Sequence, residues 1–270
     1  MKRMIMMAGL AAGTLAAPLC AVAQITNHTD SIPTDSSFHI SIGQQQPVFR
    51  TTTAGIIVPA LMLGYGFAAL KAHPLKELNR STKNELVEDH PTFHTHIDNY
   101  LQIAPAAAVY ILNAAGIHGR HNLRDRTIIL GLSALLTTGS MELIKHTTRE
   151  ERPDGSDNLS FPSGHTAMAF ATAEFMRQEY RDVSPWYGVA GYAVATATGV
   201  LRMYNNKHWV SDVVAGAGLG ILGTKAVYWA YPWIQRKLFR DNNTRTTTAI
   251  LPYYNNQWHS AGLNVTVFLR

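Results

Sequence analysis

Residues 161–176 read FPSGHTAMAFATAEFM. Pro162 leads in, Ser163-Gly164-His165 opens the run, and its Ala and Met content suits a helix better than a strand. Five more apolar runs flank it, at 54–70, 100–117, 127–145, 186–203 and 209–229. Their lengths and their Ala, Leu, Gly and Met content predict an all-α fold, an antiparallel bundle of about six helices. A long polar connection, 71–99, joins the first two runs, and charged turns at 118–126 and 177–185 separate later ones.

The ends of the chain differ in character. Lys2 and Arg3 precede an apolar stretch over 4–22, and Ala21-Val22-Ala23 supplies the small residues that a signal peptidase needs. An export signal over 1–23 is expected, with an uncleaved anchor as the alternative, and either places the chain in the periplasm or cell envelope. Residues 24–53 form a polar, loosely patterned N-terminal arm, and 54–238 the helical domain. In the tail, 239–270, two Thr-, Tyr- and Val-rich segments at 246–254 and 258–269 flank Asn255-Asn256, which predicts a short C-terminal β-hairpin. Cys20 is the only cysteine and lies inside the expected signal, so the mature chain has neither a disulfide nor a thiol nucleophile.

Lys and Arg outnumber Asp and Glu by 23 to 18, a formal charge of +5. That suits anionic substrates or an anionic membrane surface. The basic residues are scattered and carry no aromatic-basic motif, which excludes nucleic acid as the expected partner. Membrane crossing is ambiguous. Mean hydropathy is −0.05, low for six spans, and only 54–70 approaches the ~20 apolar residues a span requires. The basic turns resemble cytoplasmic loops, which would need a cytoplasmic start at Ala54, whereas a cleaved signal puts Ala54 outside. The two readings conflict. The expectation is a helical domain largely outside the cytoplasm, seated on or partly in a membrane.

Three clusters carry the chemistry: Lys145 six residues ahead of Arg152-Pro153, then Pro162-Ser163-Gly164-His165, then Arg202 with His208 and Asp212. A phosphate ester needs fixed cations for the charge on its non-bridging oxygens, and Lys145, Arg152 and Arg202 provide three. Backbone amides at the start of the 164–176 helix add donors, and Gly164 lets the backbone approach an anion. His208 and Asp212, four apart, share a helix face, so the carboxylate can fix the imidazole tautomer and leave the other nitrogen free to attack. His165, beside the anion site, can protonate the leaving oxygen. With these cations no metal or other cofactor is required. Taken singly, each cluster also reads as a loop signal, a helix-end charge or a surface residue. Three in order, each at a helix border, point to one site.

These residues resemble the type 2 phosphatidic acid phosphatase (PAP2) superfamily, whose signature is Lys-x6-Arg-Pro, Pro-Ser-Gly-His and Ser-Arg-x5-His-x3-Asp. The resemblance covers 145–212 directly. It implies that Lys145, Arg152, Ser163, Gly164 and Arg202 bind phosphate, that His165 is the general acid, that His208 is the nucleophile and that Asp212 orients it. Leu201 departs from the signature, standing where the family usually has Ser. The expected activity is metal-independent hydrolysis of phosphate monoesters through a phosphohistidine. The substrate would be lipid-linked: lipid A, phosphatidate, phosphatidylglycerol phosphate or isoprenyl diphosphate. The alternatives are a soluble exported acid phosphatase, a vanadate haloperoxidase on the same helical site, and a binder of anionic lipid without turnover.

Weaker candidates lie nearby. His90, His94 and His96 follow Asp89 and read as a solvated loop or a lid over the site, with a metal cluster as the alternative. Glu150 and Glu151 sit beside Arg152 and face water or tune selectivity. Asn205-Asn206-Lys207 reads as a turn that can touch a head group.

Overall fold

The structure is a computed structural model, and it describes residues 5–12, 22–24, 51–90, 92–238, 247–255 and 260–268. The chain separates into two compact units, one of Gln44–Ile234 and one combining Met1–Gly43 with Gln235–Arg270. The helices are α1 (Ala54–Ala69), α2 (His73–Asp89), α3 (Asp98–Leu101), α4 (Ala104–Ala114), α5 (Leu123–Thr148), α6 (Gly164–Tyr180), α7 (Pro185–Tyr204) and α8 (Val210–Leu238).

The strands are β1 (Ile5–Ala12), β2 (Val22–Gln24), β3 (Thr247–Asn255) and β4 (Ser260–Phe268), in the antiparallel order β2-β1-β4-β3. β3 and β4 pair as a hairpin, Thr247 opposite Phe268 and Asn255 opposite Ser260. β1 covers part of the expected export signal. Most of that signal and nearly all of the polar arm lie outside the described residues.

The helix count differs from the sequence expectation for two physical reasons. The polar connection contains α2. Pro74 lies in its first turn, where a missing N–H costs nothing. Asn79 is buried against α8: its Nδ2 donates to Ser211 Oγ at 2.8 Å and its Oδ1 accepts from Ser211 N at 3.2 Å. Leu75, Leu78 and Leu86 of α2 are separated by polar residues and form no continuous apolar run, so a search for apolar runs passes over it. The run 100–117 is broken into α3 and α4, because Pro105 lacks an N–H and fits only in the first turn of a new helix.

The expectation that 54–70 comes nearest to spanning a membrane is also corrected. Leu123–Thr148 and Val210–Lys237 are the two helices long and apolar enough to cross one among the described residues. α1 and α2 together qualify only as a pair bent by 94°. The longer helices run past their apolar runs because their ends are capped. Asn122 accepts from Asp125 N at 2.8 Å at the start of α5, and Arg149 closes its end at φ 49°. Large apolar side chains stay exposed on several helices, among them Leu135, Leu143, Trp186 and Trp229.

α6 is the most buried helix of its unit. Ala167, Ala169, Ala171 and Ala173 are buried along it, and Phe175 and Tyr180 join Val109, Ile129, Val227 and Tyr231 in the main core. Small residues let α8 run against α6. A Cβ on Gly220 would lie 2.1 Å from Ala167 O, and one on Gly216 2.6 Å from Ser163 O. Gly220→Ala is therefore expected to push α8 off α6 and cost about 1–3 kcal/mol. Thermal unfolding should read this as a midpoint lowered by several degrees; an unchanged midpoint would show that the contact relaxes freely. With α8 held to α6 in this way, the start of each helix is brought next to the other.

Candidate functional site

The site is assembled where α5 and α7 end and α6 and α8 begin. Lys145 is in the last turn of α5 and is buried. Its Nζ donates to Leu159 O. The loop that follows is braced by its own polar groups. Arg152 Nε donates to Asp157 Oδ1 at 2.7 Å, and the same oxygen accepts from Leu159 N at 2.8 Å. Trp209 Nε1 donates to Glu151 O at 2.8 Å and Lys207 pairs with Asp154 at 2.5 Å, which ties the loop to the α7–α8 turn. Lys207 is thus engaged by a carboxylate. Asn205 is engaged by Thr95, donating to its carbonyl at 2.9 Å and accepting from its N–H at 3.0 Å.

Ser163 precedes α6 with extended backbone and is fully buried. Its N–H donates to Asp212 O at 3.0 Å, and its Oγ accepts from Thr166 Oγ1 at 2.9 Å. Gly164 has a packing reason beyond backbone access to an anion. A Cβ there would meet Met141 Sδ of α5 at 2.6 Å. α6 starts at Gly164, so its first-turn amides lie at this border.

His208 sits just ahead of α8 and is 4% exposed. Its Nδ1 lies 3.5 Å from Asp212 Oδ2 and 3.5 Å from Ser160 Oγ. Asp212 Oδ2 also accepts from Ser160 Oγ and from Trp209 N at 3.0 Å, so the carboxylate is pinned from three sides. Burial, followed by the cations Arg202, Lys145 and Arg152, pushes the His208 imidazole well below the usual histidine pKa. It is therefore neutral at physiological pH, with Nδ1 turned to Asp212 and Ser160. His165 is likewise lowered, by burial first and then by Arg202. Its Nε2 lies 2.7 Å from Asn99 Oδ1. Arg202 pairs with Asp98 at 2.7 Å through Nη1, while its buried Nε has no partner among the described residues.

The three clusters come together: His208 experiences the charges of Arg202, Lys145, Arg152 and His165, and Ser163 is bonded to the backbone of Asp212. Sequence reasoning missed Ser160, Asp98 and Asn99. Ser160 stands next to Phe161-Pro162 with nothing periodic to mark it. Asp98 and Asn99 lie at the end of the polar connection 71–99, where no apolar pattern marks them. That connection reaches the site through Asp98 and Asn99. His94 and His96 stack on each other with centroids 4.7 Å apart, and the described residues hold no group of three metal-ligating side chains. A cavity of about 490 Å³ opens beside Arg152, lined by Lys76, Arg80, Glu150, Glu151 and Trp209. Burial raises the Glu150 carboxyl there above its ordinary range.

A buried, neutral histidine among three fixed cations, next to a helix start, is an arrangement for holding and attacking a phosphoryl group. Residues 126–236 match the PAP2 superfamily model. Among curated proteins, the chain is 42% identical over 151 residues to a lipid A 1-phosphatase of Porphyromonas gingivalis, a match covering 56% of this chain and 33% of that one. It is 34% identical over 73 residues to the bacitracin transport permease protein BcrC of Bacillus licheniformis, covering 27% and 34%. The matches thus span about a third of the length of these curated relatives. Among solved structures, LpxE of Aquifex aeolicus aligns with TM-score 0.43 and 20% identity, over 56% of this chain and 94% of that one. A phosphatidylglycerolphosphate phosphatase of Bacillus subtilis aligns with TM-score 0.43 and 19% identity, over 71% and 100%.

Proposed function

We propose that the chain is a membrane-seated phosphatase that hydrolyses a phosphate monoester on a lipid through a phosphohistidine. The observation that carries this reading is His208: buried, neutral, oriented at Nδ1 by Asp212 and Ser160, and surrounded by Lys145, Arg152 and Arg202. In the first step Nε2 of His208 attacks phosphorus, a P–N bond forms and the P–O bond to the lipid breaks. His165 gives its proton to the departing oxygen. In the second step His165 takes a proton from water as its oxygen attacks phosphorus, the P–N bond breaks and inorganic phosphate leaves. The three cations, the α6 amides and the Ser163 hydroxyl hold the non-bridging oxygens throughout, with Arg202 Nε available as a donor. These fixed charges do the work a metal does in other phosphatases.

A lipid substrate is favoured by the exposed apolar side chains and by the two membrane-length helices. The lipid A 1-phosphatase relative makes a lipid A-type phosphate the first substrate to try. The export signal belongs to the same proposal, because it would put the site in the envelope. Phosphate release by the purified chain, in the presence of a chelator, from a lipid phosphate and from p-nitrophenyl phosphate tests it. Lipid-selective release is expected. Equal rates on both would instead indicate a broad acid phosphatase, and no release with intact lipid binding would leave a binder.

The pH dependence follows from the two histidines. Turnover needs His208 neutral and His165 protonated. The lowered pKa of His208 keeps the nucleophile active well into acid. The lowered pKa of His165 means that its proton is already being lost below 6.5. kcat/KM is therefore expected to peak on the acid side and to fall as pH rises through neutrality. A profile rising into alkali would contradict the assignment of His165.

A further inference from the structure

Asn99 is an exposed residue of the short helix α3, yet its side chain has a fixed place at the phosphate site. Its Oδ1 lies 2.7 Å from Nε2 of His165. The segment that carries it is tied down on both sides. Before it, Thr95 and Asn205 exchange two hydrogen bonds, at 2.9 and 3.0 Å, and the buried Asp98 pairs with Arg202 at 2.7 Å. After it, the carbonyl of Gln102 accepts from Thr172 Oγ1 of α6 at 2.8 Å. Ties to α6, to α7 and to the turn after α7 thus hold Asn99 against the start of α6, where His165 stands.

The contact decides which nitrogen of the ring does what. An amide oxygen only accepts, so Nε2 is the donor and carries a proton. Nδ1 is then the nitrogen left to meet the leaving oxygen. A neutral acceptor also suits the place. His165 is faced by Arg202 of α7, Asp98 of α3, Arg152 of the loop and Lys145 of α5, with His208 as the other titratable ring nearby. An oxygen that accepts from Nε2 favours the imidazolium without setting a second carboxylate beside Asp98, where it would repel the phosphate.

We propose that Asn99 is a positioning residue for the phosphatase reaction, holding Nε2–H of His165 so that the Nδ1 proton passes to the leaving oxygen. The inference rests on the reading of His165 as the general acid. In the first step the Nδ1 proton goes to the oxygen of the breaking P–O bond, while Nε2–H stays with Asn99. In the second, Nδ1 regains a proton from the attacking water. The test is kcat/KM against pH, on a lipid phosphate and on p-nitrophenyl phosphate. Wild type is run beside Asn99→Ala, Asn99→Asp, His165→Gln and the double variant of His165→Gln with Asn99→Ala. Asn99 is exposed, so its replacement leaves the core untouched. Asn99→Ala should lower kcat/KM for the lipid phosphate by about tenfold or more, a share of the about 10²–10⁴ that a general acid supplies, and that for p-nitrophenyl phosphate by less than about threefold. Its alkaline limb should move to lower pH, because the imidazolium loses an acceptor. Asn99→Asp offers only oxygens; it should keep the preference for the lipid phosphate and move that limb to higher pH. In the His165→Gln background, Asn99→Ala should cost nothing further. Equal losses on the two substrates, an unmoved limb, or a full extra loss in that background would overturn the proposal and leave His165 as the acid, provided that His165→Gln itself spares p-nitrophenyl phosphate. Equal losses in His165→Gln would overturn the acid reading, and this inference with it.

Discussion

Replacing His208 by Ala is expected to lower phosphate release by at least about 10³-fold and to leave binding of the lipid phosphate within a few-fold of wild type. The asymmetry follows from the division of labour in the site. In the proposed mechanism Lys145, Arg152, Arg202 and the α6 amides hold the phosphate charge, and none of these three side chains uses His208 as a partner in its hydrogen bonds or ion pairs. Asp212 keeps Ser160 and the Trp209 N–H when the imidazole is removed, so its carboxylate is not orphaned. The fold should lose only what a vacated side chain costs, about 1–3 kcal/mol. Two readouts check this. One is phosphate release. The other is rapid quenching of wild type with substrate, followed by a search for protein-bound phosphate that is stable to base and labile to acid, as a phosphohistidine is. The bound phosphate should be present in wild type and absent in the variant. A variant within tenfold of wild type, or wild type without the intermediate, would remove His208 from the mechanism.

His165→Gln is expected to lower kcat/KM for a lipid phosphate by about 10²–10⁴, the usual worth of a general acid. The loss on p-nitrophenyl phosphate should be much smaller. An alkoxide is a poor leaving group and needs the proton, while p-nitrophenolate departs without it. kcat/KM reports the steps up to departure of the leaving group, so the second half-reaction does not obscure the contrast. The acid-side optimum should also broaden toward alkali in the variant, because the group lost above it is gone. Equal losses on the two substrates would make His165 a binding residue rather than an acid. His165 also meets Asn99, at 2.7 Å. Glutamine retains a hydrogen-bonding side chain of similar reach, so the comparison isolates the proton.

Much of the candidate site was legible because its residues are confined to three short segments with charge and nucleophile types that suit phosphate chemistry together. Lys145 through Asp212 could be picked out without knowing how the helices pack. What could not be read were the partners. Asn99 meets His165 across 66 residues, Asp98 meets Arg202 across 104, and Ser160 meets Asp212 across 52. No local pattern marks such pairs, since each depends on which helix ends are brought together. The all-α reading stands, and one helix escaped it for the same kind of reason. α2 buries Asn79 against Ser211 and holds its leucines among polar residues, with no continuous apolar run for hydropathy to find.

The sequence by itself determined the helical class, the order of the cationic and histidine clusters, and their positions at helix borders, because composition and spacing act within one element. Only the tertiary structure decided that His208 is neutral, since that depends on burial and on cations from α5, the following loop and α7. It also decided that α8 runs closely enough along α6, through Gly216 and Gly220, to bring Asp212 to Ser163. Burial and electrostatic fields are sums over the whole packed molecule, and they exist only once the helices have met.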